Sequence, residues 1–346
     1  MSQRTKVAIV GASGYTGLEL LRLIFCHPNA EVTAITSRSN TQKAFTEVFP
    51  RFKDHPGTDI CFIEPNMEVV ASTGAEVAFL ALPHGKAAPY AKELLELGVK
   101  VIDLSADFRL DDPLVYEEFY NEVHPAPELL KEAVFGLPEL YDEEISRSRL
   151  IAAPGCYPTS IMLPLIPLLK TQLIEHSSIH VSSMSGVSGA GRNASLPLIF
   201  AEVNESVRSY GLPKHRHLSE IEQELSKAAS QKVTISFVPH LIPVTAGICT
   251  TIFAELVGEI QQVKTVLEET YGGHPFVRLR GEGVSPDTKH VTGTNYLDIG
   301  WHHDSRTGRL ILQSAEDNLG KGAAGQAVQC FNILSGNPQT DGLLNL

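Results

Sequence analysis

Apolar residues in the first half of the chain come in short, dense runs separated by helical stretches. Residues 6–10 (KVAIV) form an unbroken run of the kind expected for a strand buried on both faces. The loop GASGYTG (11–17) follows, and 18–25 carries apolar residues at helical spacing up to a stop at Pro28-Asn29. Residues 31–36 (EVTAIT) predict a second strand. Strand, glycine turn, helix and strand in that order make a βαβ unit with parallel strands. Residues 39–70, with Pro50, Pro56, Gly57 and Pro65, predict an irregular stretch holding a short strand or helix. Strands at 76–82 and 99–104 bracket a helix over 87–97, and 150–153 is one more strand before Pro154.

The rhythm then changes. A helix is predicted over 159–172, with Pro164 and Pro167 as irregularities, and strands over 179–184, 234–239, 250–256 and 296–301. Helices near 218–228 and 261–270 lie between them. Strands outnumber helices, which predicts an α+β domain on a mixed or antiparallel sheet. Residues 318–334 return to helical spacing and are expected to rejoin the first domain. The expected fold class is α/β: an NADP-binding, Rossmann-type doubly wound parallel sheet over 1–153 plus 318–346, and a catalytic and dimerisation α+β domain over 154–317. A length of 346 residues suits two domains.

Composition narrows the function classes. Twenty-eight Lys and Arg against 40 Asp and Glu give a net charge of −12, which argues against nucleic acid as partner. The most apolar stretch, 161–169, carries two prolines and falls short of the ~20 residues a membrane span requires. The start MSQRTKVAIVGASG lacks the features of a signal peptide. Five cysteines with no short-spaced pair make neither a disulfide framework nor a zinc site, so no metal and a cytoplasmic setting are expected.

The loop Gly11-x-Ser13-Gly14-Tyr15-Thr16-Gly17, between a strand and a helix, has the context a dinucleotide pyrophosphate requires. Ser37-Arg38-Ser39 stands where an NAD site would carry a carboxylate for the ribose 2′-hydroxyl. A guanidinium between two hydroxyls suits a 2′-phosphate, so NADP(H) is the expected cofactor; a solvated surface arginine is the alternative.

Cys26 and Cys330 lie in helical segments and Cys61 and Cys249 in strand-like ones, where cysteine packs as a small hydrophobe. Cys156, in Ala-Pro-Gly-Cys-Tyr-Pro-Thr at the head of an apolar helix, sits where a thiolate is stabilised. It is a candidate nucleophile, with a buried structural thiol as the other reading. Lys214-His215-Arg216-His217-x-x-Glu220 offers an acid–base pair with an orienting carboxylate, or else a His-x-His ligand pair or a basic surface loop. Dinucleotide plus thiol is equipment for interconverting aldehydes and activated acyl groups. Arg109, Arg192, Lys214 and Arg216 are candidate ligands for an anionic substrate.

Ordered blocks along the chain strengthen this reading: GASGYTG (11–17), LPHG (82–85), DLSADFRL (103–110), FGLPEL (135–140), PGCYPTS (154–160), SGVSGAGR (185–192), KHRHLSE (214–220), FVPHLIP (237–243), GTN (293–295) and DNLGKGAAGQAVQ (317–329). Together they resemble the N-acetyl-gamma-glutamyl-phosphate reductases of arginine biosynthesis, relatives of the aspartate-semialdehyde dehydrogenases. The resemblance implies NADPH-dependent reductive dephosphorylation of a small acyl phosphate, N-acetyl-gamma-glutamyl phosphate, through a thioester on Cys156. His217 would be the acid/base, supported by His215 and Glu220, with Arg109 and Arg192 on anionic groups. Ser185, Gly186, Gly189 and Asn318 would lie at the nicotinamide. A homodimer or homotetramer is implied too. Val238 and Cys330 depart from the family's commoner Thr and Asn, outside the nucleophile motif. Another semialdehyde dehydrogenase, or a non-enzymatic NADP-sensing protein, is the competing reading.

Overall fold

The computed structural model describes residues 4–344; positions 1–3 and 345–346, at the outer ends of the expected first domain, lie outside the described residues. The chain divides into two compact units, one running up to Pro154 and resuming at Ala323, the other Gly155–Gly322.

The first unit contains β1 (Thr5–Val10), α1 (Tyr15–Phe25), β2 (Ala30–Thr36), α2 (Phe45–Val48), β3 (Phe62–Ile63), α3 (Met67–Ser72), β4 (Val77–Leu80), α4 (Ala87–Glu96), β5 (Lys100–Asp103), α5 (Pro113–Tyr120), β6 (Val134–Phe135), α6 (Pro138–Arg147) and β7 (Leu150–Ala152). Its seven strands are all parallel, in the order β3-β2-β1-β4-β5-β7-β6. This is the doubly wound sheet expected, with β1 central and fully buried from Val7 to Val10. The stretch 39–70 is more ordered than its prolines suggest. Phe45 stands 5.2–5.4 Å, ring centre to ring centre, from Phe25, Phe49 and Phe52, an aromatic cluster with no period to betray it.

The second unit contains α7 (Cys156–Lys170), β8 (His180–Gly186), α8 (Phe200–Val203), β9 (Arg208–Ser209), α9 (Leu218–Ala229), β10 (Ser236–Ile242), β11 (Ile248–Glu255), α10 (Ile260–Tyr271), β12 (Val277–Glu282), β13 (Leu297–Asp304) and β14 (Arg309–Glu316). Its sheet is mixed, in the order β12-β13-β14-β11-β8-β10-β9; β8 and β10 are parallel, as are β12 and β13. Helix α7 is buried from Tyr157 to Leu169, a helix apolar all round, and lies against α9, β11 and β14. It begins at Cys156 rather than at 159, and Pro158 is tolerated because first-turn N–H groups have no helical partner.

The returning helix also begins later than expected. Asp317 accepts hydrogen bonds from the N–H groups of Leu319 (2.7 Å) and Gly320 (3.2 Å), holding 318–319 out of the helix. A π-helical turn over Gly320–Ala324 leads into α11 (Gly325–Leu334) of the first unit. Two cysteines correct the packing expectation: Cys330 is buried and Cys249 half-buried, but Cys26, at the end of α1, and Cys61 are exposed. Among the described residues no helix is long and apolar enough to cross a membrane.

Candidate active site

In the first unit the glycine loop joins β1 to α1, and its three glycines differ in what they require. Gly11 adopts φ +89°, and a Cβ there would meet the Ala81 carbonyl oxygen at 2.4 Å. At Gly17 a Cβ would meet the Gly11 oxygen at 2.6 Å, so this glycine lets α1 close onto the loop. Gly14 is otherwise. It caps α1 in extended conformation, φ −77°, and a Cβ there would find its nearest neighbour, the Gly11 oxygen, at 3.8 Å. The fold itself leaves room for a side chain there, so the open space lies at the helix N-terminus, where a dinucleotide pyrophosphate would need it. Ser13, Tyr15 and Thr16 share this turn, and Tyr15 is exposed.

Beyond β2 the three hydroxyl and guanidinium residues separate. Ser37 is buried and its Oγ donates to Ser13 Oγ (3.0 Å), tying the glycine loop to the strand end. Arg38 and Ser39 are exposed, and Arg38 donates to the Tyr90 hydroxyl at 2.9 Å. Arg38 and Tyr90 line a cleft of about 720 Å³ whose walls also carry Glu64, Glu68 and Glu93. Those carboxylates, scattered between 64 and 93, had no sequence signature.

Arg109 lies in the DLSADFRL block of the first unit. It is 8% exposed and donates to the carbonyls of Ala153 (2.8 Å) and Leu104 (2.9 Å), the position of a clamp on the turn before Pro154. In the same block Asp107 accepts from the N–H groups of Gly85, Ala87 and Ala88, capping α4. Burial, then the charge of Asp107, pushes the Asp103 carboxyl up to about 7.

In the second unit Cys156 opens α7, after a Gly155 cap without side-chain oxygen and with no acid in the first turn. The helix N-terminus is therefore left to stabilise an anion. A Cβ on Gly155 would lie 2.5 Å from His217 Nε2, 2.8 Å from Cε1 and 2.9 Å from Cδ2. The imidazole thus rests directly on the residue before the thiol. Glu220, 1% exposed, accepts from Gly155 N–H at 3.1 Å and stands 4.0 Å from His217 Nε2. One carboxylate therefore steadies both the turn before Cys156 and the ring above it.

His215 is enclosed differently. Its ring meets Tyr157, Tyr210, His217 and Phe237 edge-on, with centroids 4.9–5.7 Å apart. Its Nδ1 accepts from His217 N–H at 3.2 Å. Burial, reinforced by Arg216, lowers its pKa to about 4, so it stays neutral with the proton on Nε2 at ordinary pH. Arg192, Lys214 and Arg216 are exposed.

Ser185, Gly186 and Gly189 gather with Asn318. Asn318 accepts from Gly247 N–H and donates to Ser188 Oγ, both at 2.8 Å, and a Cβ at Gly189 would lie 3.1 Å from Ser185 Oγ. The sequence reading missed Gly322, where a Cβ would meet Cys156 Cβ at 2.8 Å and Glu316 Oε1 at 3.0 Å. The GKG of the last block was its signal. Tyr157 and Tyr210 were missed too: Tyr210 donates to the Tyr157 hydroxyl at 3.1 Å, and burial keeps both phenols neutral. Among the described residues no group of three His, Cys, Asp or Glu side chains is placed to hold a metal ion.

The profile described as "Semialdehyde dehydrogenase, NAD binding domain" matches residues 6–148, and "Semialdehyde dehydrogenase, dimerisation domain" matches 156–318. N-acetyl-gamma-glutamyl-phosphate reductases from Akkermansia muciniphila and Geobacter metallireducens are 57% and 50% identical to the chain. The alignments cover 99% of both chains in the first case and 98% in the second. Aspartate semialdehyde dehydrogenase II from Vibrio cholerae, complexed with ASA, shares the fold with TM-score 0.72 at 19% identity, over 96% of this chain and 99% of that one. The Candida albicans enzyme with NADP has TM-score 0.72 at 16% identity, with the same coverage. The first profile identifies the cofactor as a nicotinamide dinucleotide. With full-length relatives at half or more identity and both profiles matched, the chain belongs to the N-acetyl-gamma-glutamyl-phosphate reductase family of the semialdehyde dehydrogenases, a family of oxidoreductases.

Proposed function

We propose that the chain carries out NADPH-dependent reductive dephosphorylation of N-acetyl-gamma-glutamyl phosphate to N-acetyl-L-glutamate 5-semialdehyde and phosphate, a step of arginine biosynthesis. The observation that carries this reading is the His217 ring seated on Gly155, beside a cysteine at a helix N-terminus and backed by Glu220.

Cys156 attacks the γ-acyl carbon as a thiolate; the bond from that carbon to the phosphate oxygen breaks, phosphate leaves taking up the one proton that the turnover consumes, and a thioester remains on Sγ. A reduced nicotinamide, when bound, would supply the hydride for taking the acyl carbon to the aldehyde level. His217 delivers the proton that oxygen gains, then recovers it as the C–S bond breaks and the thiolate returns. Each turnover consumes one acyl phosphate, one reduced cofactor and one proton. Glu220 holds His217 oriented and stabilises its charged form. Arg192, Lys214 and Arg216 supply cations for the substrate's anionic groups. Gly11, Gly14 and Gly17 with Ser13 and Thr16 would hold the pyrophosphate, and Arg38 with Ser39 the 2′-phosphate, a set that suits NADP(H). Ser185, Gly186, Gly189 and Asn318 line the nicotinamide side. We place the chain in the cytoplasm as a homodimer or homotetramer, the match to a dimerisation domain supporting self-association.

The test is phosphate-dependent reduction of NADP⁺ with N-acetylglutamate semialdehyde and aspartate semialdehyde side by side. The N-acetylated substrate should be strongly preferred, with activity lost in Cys156→Ser. Preference for the aspartate compound would move the enzyme to the neighbouring activity, and a fully active Cys156→Ser would end the mechanism.

A further inference from the structure

Helix α7 carries Cys156 as its first residue and holds Pro164 and Pro167 in its interior. A proline has no N–H, so each one strips the donor from the carbonyl four residues back. The carbonyls opened in this way belong to Ser160 and Leu163, on a helix buried from Tyr157 to Leu169 and so out of reach of solvent. Both are filled from outside the helix. Ser314, on β14, donates its hydroxyl to the Ser160 carbonyl at 2.6 Å. Tyr271, the last residue of α10, donates its hydroxyl to the Leu163 carbonyl, also at 2.6 Å. Both donors are buried, and each lands on a carbonyl that a proline has opened.

The first turn of α7 is held from a further side. Ser160 Oγ donates to the Tyr157 carbonyl at 2.9 Å, which uses its one proton, so it accepts from Thr250 Oγ1 at 2.8 Å. Thr250 in turn accepts from Ser183 Oγ at 2.8 Å. A chain of hydroxyls with a single direction thus runs from β8 through β11 to the turn that begins at Cys156. The segment following β14 closes on the nucleophile candidate itself: a Cβ on Gly322 would lie 2.8 Å from Cys156 Cβ.

A helix that keeps its backbone ladder carries its N-terminus on its own frame, whereas one that lacks rungs at prolines bends there. In α7 the place of the first turn is therefore set by whatever fills the open carbonyls. We propose that Ser314 and Tyr271 are positioning residues for the nucleophile: their hydroxyls replace the donors that Pro164 and Pro167 remove, and so fix where Cys156 stands against His217. The exchange of donors is a matter of structure alone; its effect on turnover rests on the reading of Cys156 as nucleophile.

The experiment is a pair of double-mutant cycles on the full-length protein, Tyr271→Phe with Pro167→Ala and Ser314→Ala with Pro164→Ala. Alanine restores a backbone N–H to the same carbonyl, so the hydroxyl becomes dispensable on that background. Alkylation of Cys156 by iodoacetamide, mapped by peptide mass and followed against pH, reads the thiol without substrate. Steady-state kinetics read turnover, and circular dichroism reads folding. With the prolines in place, removing either hydroxyl should lower kcat roughly tenfold, leave KM for the semialdehyde within about twofold, and displace the pH profile of alkylation. On the matching alanine background the same removal should change kcat by less than about twofold, while on the other proline's alanine background the full loss should persist. Losses that are equal on every background overturn the exchange of donors. Folded single variants with wild-type kcat and alkylation overturn the positioning role. Tyr271→Phe removes only one oxygen, and its cycle decides the matter alone if Ser314→Ala does not fold. If neither semialdehyde is turned over, the function reading fails separately, and alkylation across the cycles still decides the positioning.

Discussion

Gly155→Ala isolates the contact on which the site depends. The backbone at this position is extended, φ −70° and ψ 162°, so alanine is free of conformational strain there. What the methyl meets is His217, with Nε2 at 2.5 Å where ordinary contact begins at 3.4 Å. The ring must therefore retreat by about 0.9 Å, since the methyl stands on the turn that Glu220 fixes through Gly155 N–H. A misplacement of ~1 Å in a catalytic group costs ~100-fold in rate, which is ~2.7 kcal/mol of barrier. Overpacking adds ~1–3 kcal/mol of lost stability. The assay is kcat for NADP⁺ reduction at saturating semialdehyde and phosphate, with chemical denaturation to follow folding. A folded Gly155→Ala enzyme with kcat within threefold of wild type would refute the placement of His217 as acid/base.

Glu220→Gln keeps an acceptor for Gly155 N–H but removes the charge 4.0 Å from His217. The expected result is ~10-fold lower kcat with the rate profile's histidine pKa moved down, because the imidazolium loses its counter-charge; an unshifted profile would contradict it. His215→Phe keeps the aromatic packing and removes a histidine whose pKa falls from 6.5 to about 4 on folding. Between those values the unfolded chain binds the proton and the folded one does not, so His215 makes the wild type lose stability as pH falls through that window. Unfolding titrations at pH 7 and pH 4.5 should show a shallower loss in the variant, and equal slopes would contradict the assignment. Arg38→Ala should raise KM for NADPH by roughly tenfold and leave KM for NADH unchanged, the loss of one charge-assisted contact. With Glu64, Glu68 and Glu93 on the same cleft, equal effects on both cofactors would remove the basis for NADP selectivity.

Strong periodicity carried much of the fold. The run at β1, the glycine loop and the helix after it are legible because burial on both faces and a tight turn leave few residue choices. Strand β14 and helices α5 and α6 were not anticipated. Alternating polar residues in RLILQSAE, and the mixed faces of PLVYEEFY and PELYDEEISR, take their order from tertiary partners rather than local pattern. At the site, the types and spacing of Cys156, His217 and Glu220 announced themselves. The contacts of Gly155 and Gly322 did not, since a glycine is silent about what fills the space where its side chain would be. Arg109 shows another limit: its sequence block does not announce the carbonyls of Ala153 and Leu104 to which it donates.

The central claim is that Cys156 carries the acyl group. Mixing the enzyme with N-acetyl-gamma-glutamyl phosphate, without reduced cofactor, tests it directly by rapid-quench phosphate release and intact-mass analysis. The account predicts a burst of one phosphate per active subunit, with an N-acetylglutamyl adduct mapped to Cys156 and lost in Cys156→Ser. Phosphate release without a burst, or an adduct on another residue, would contradict it.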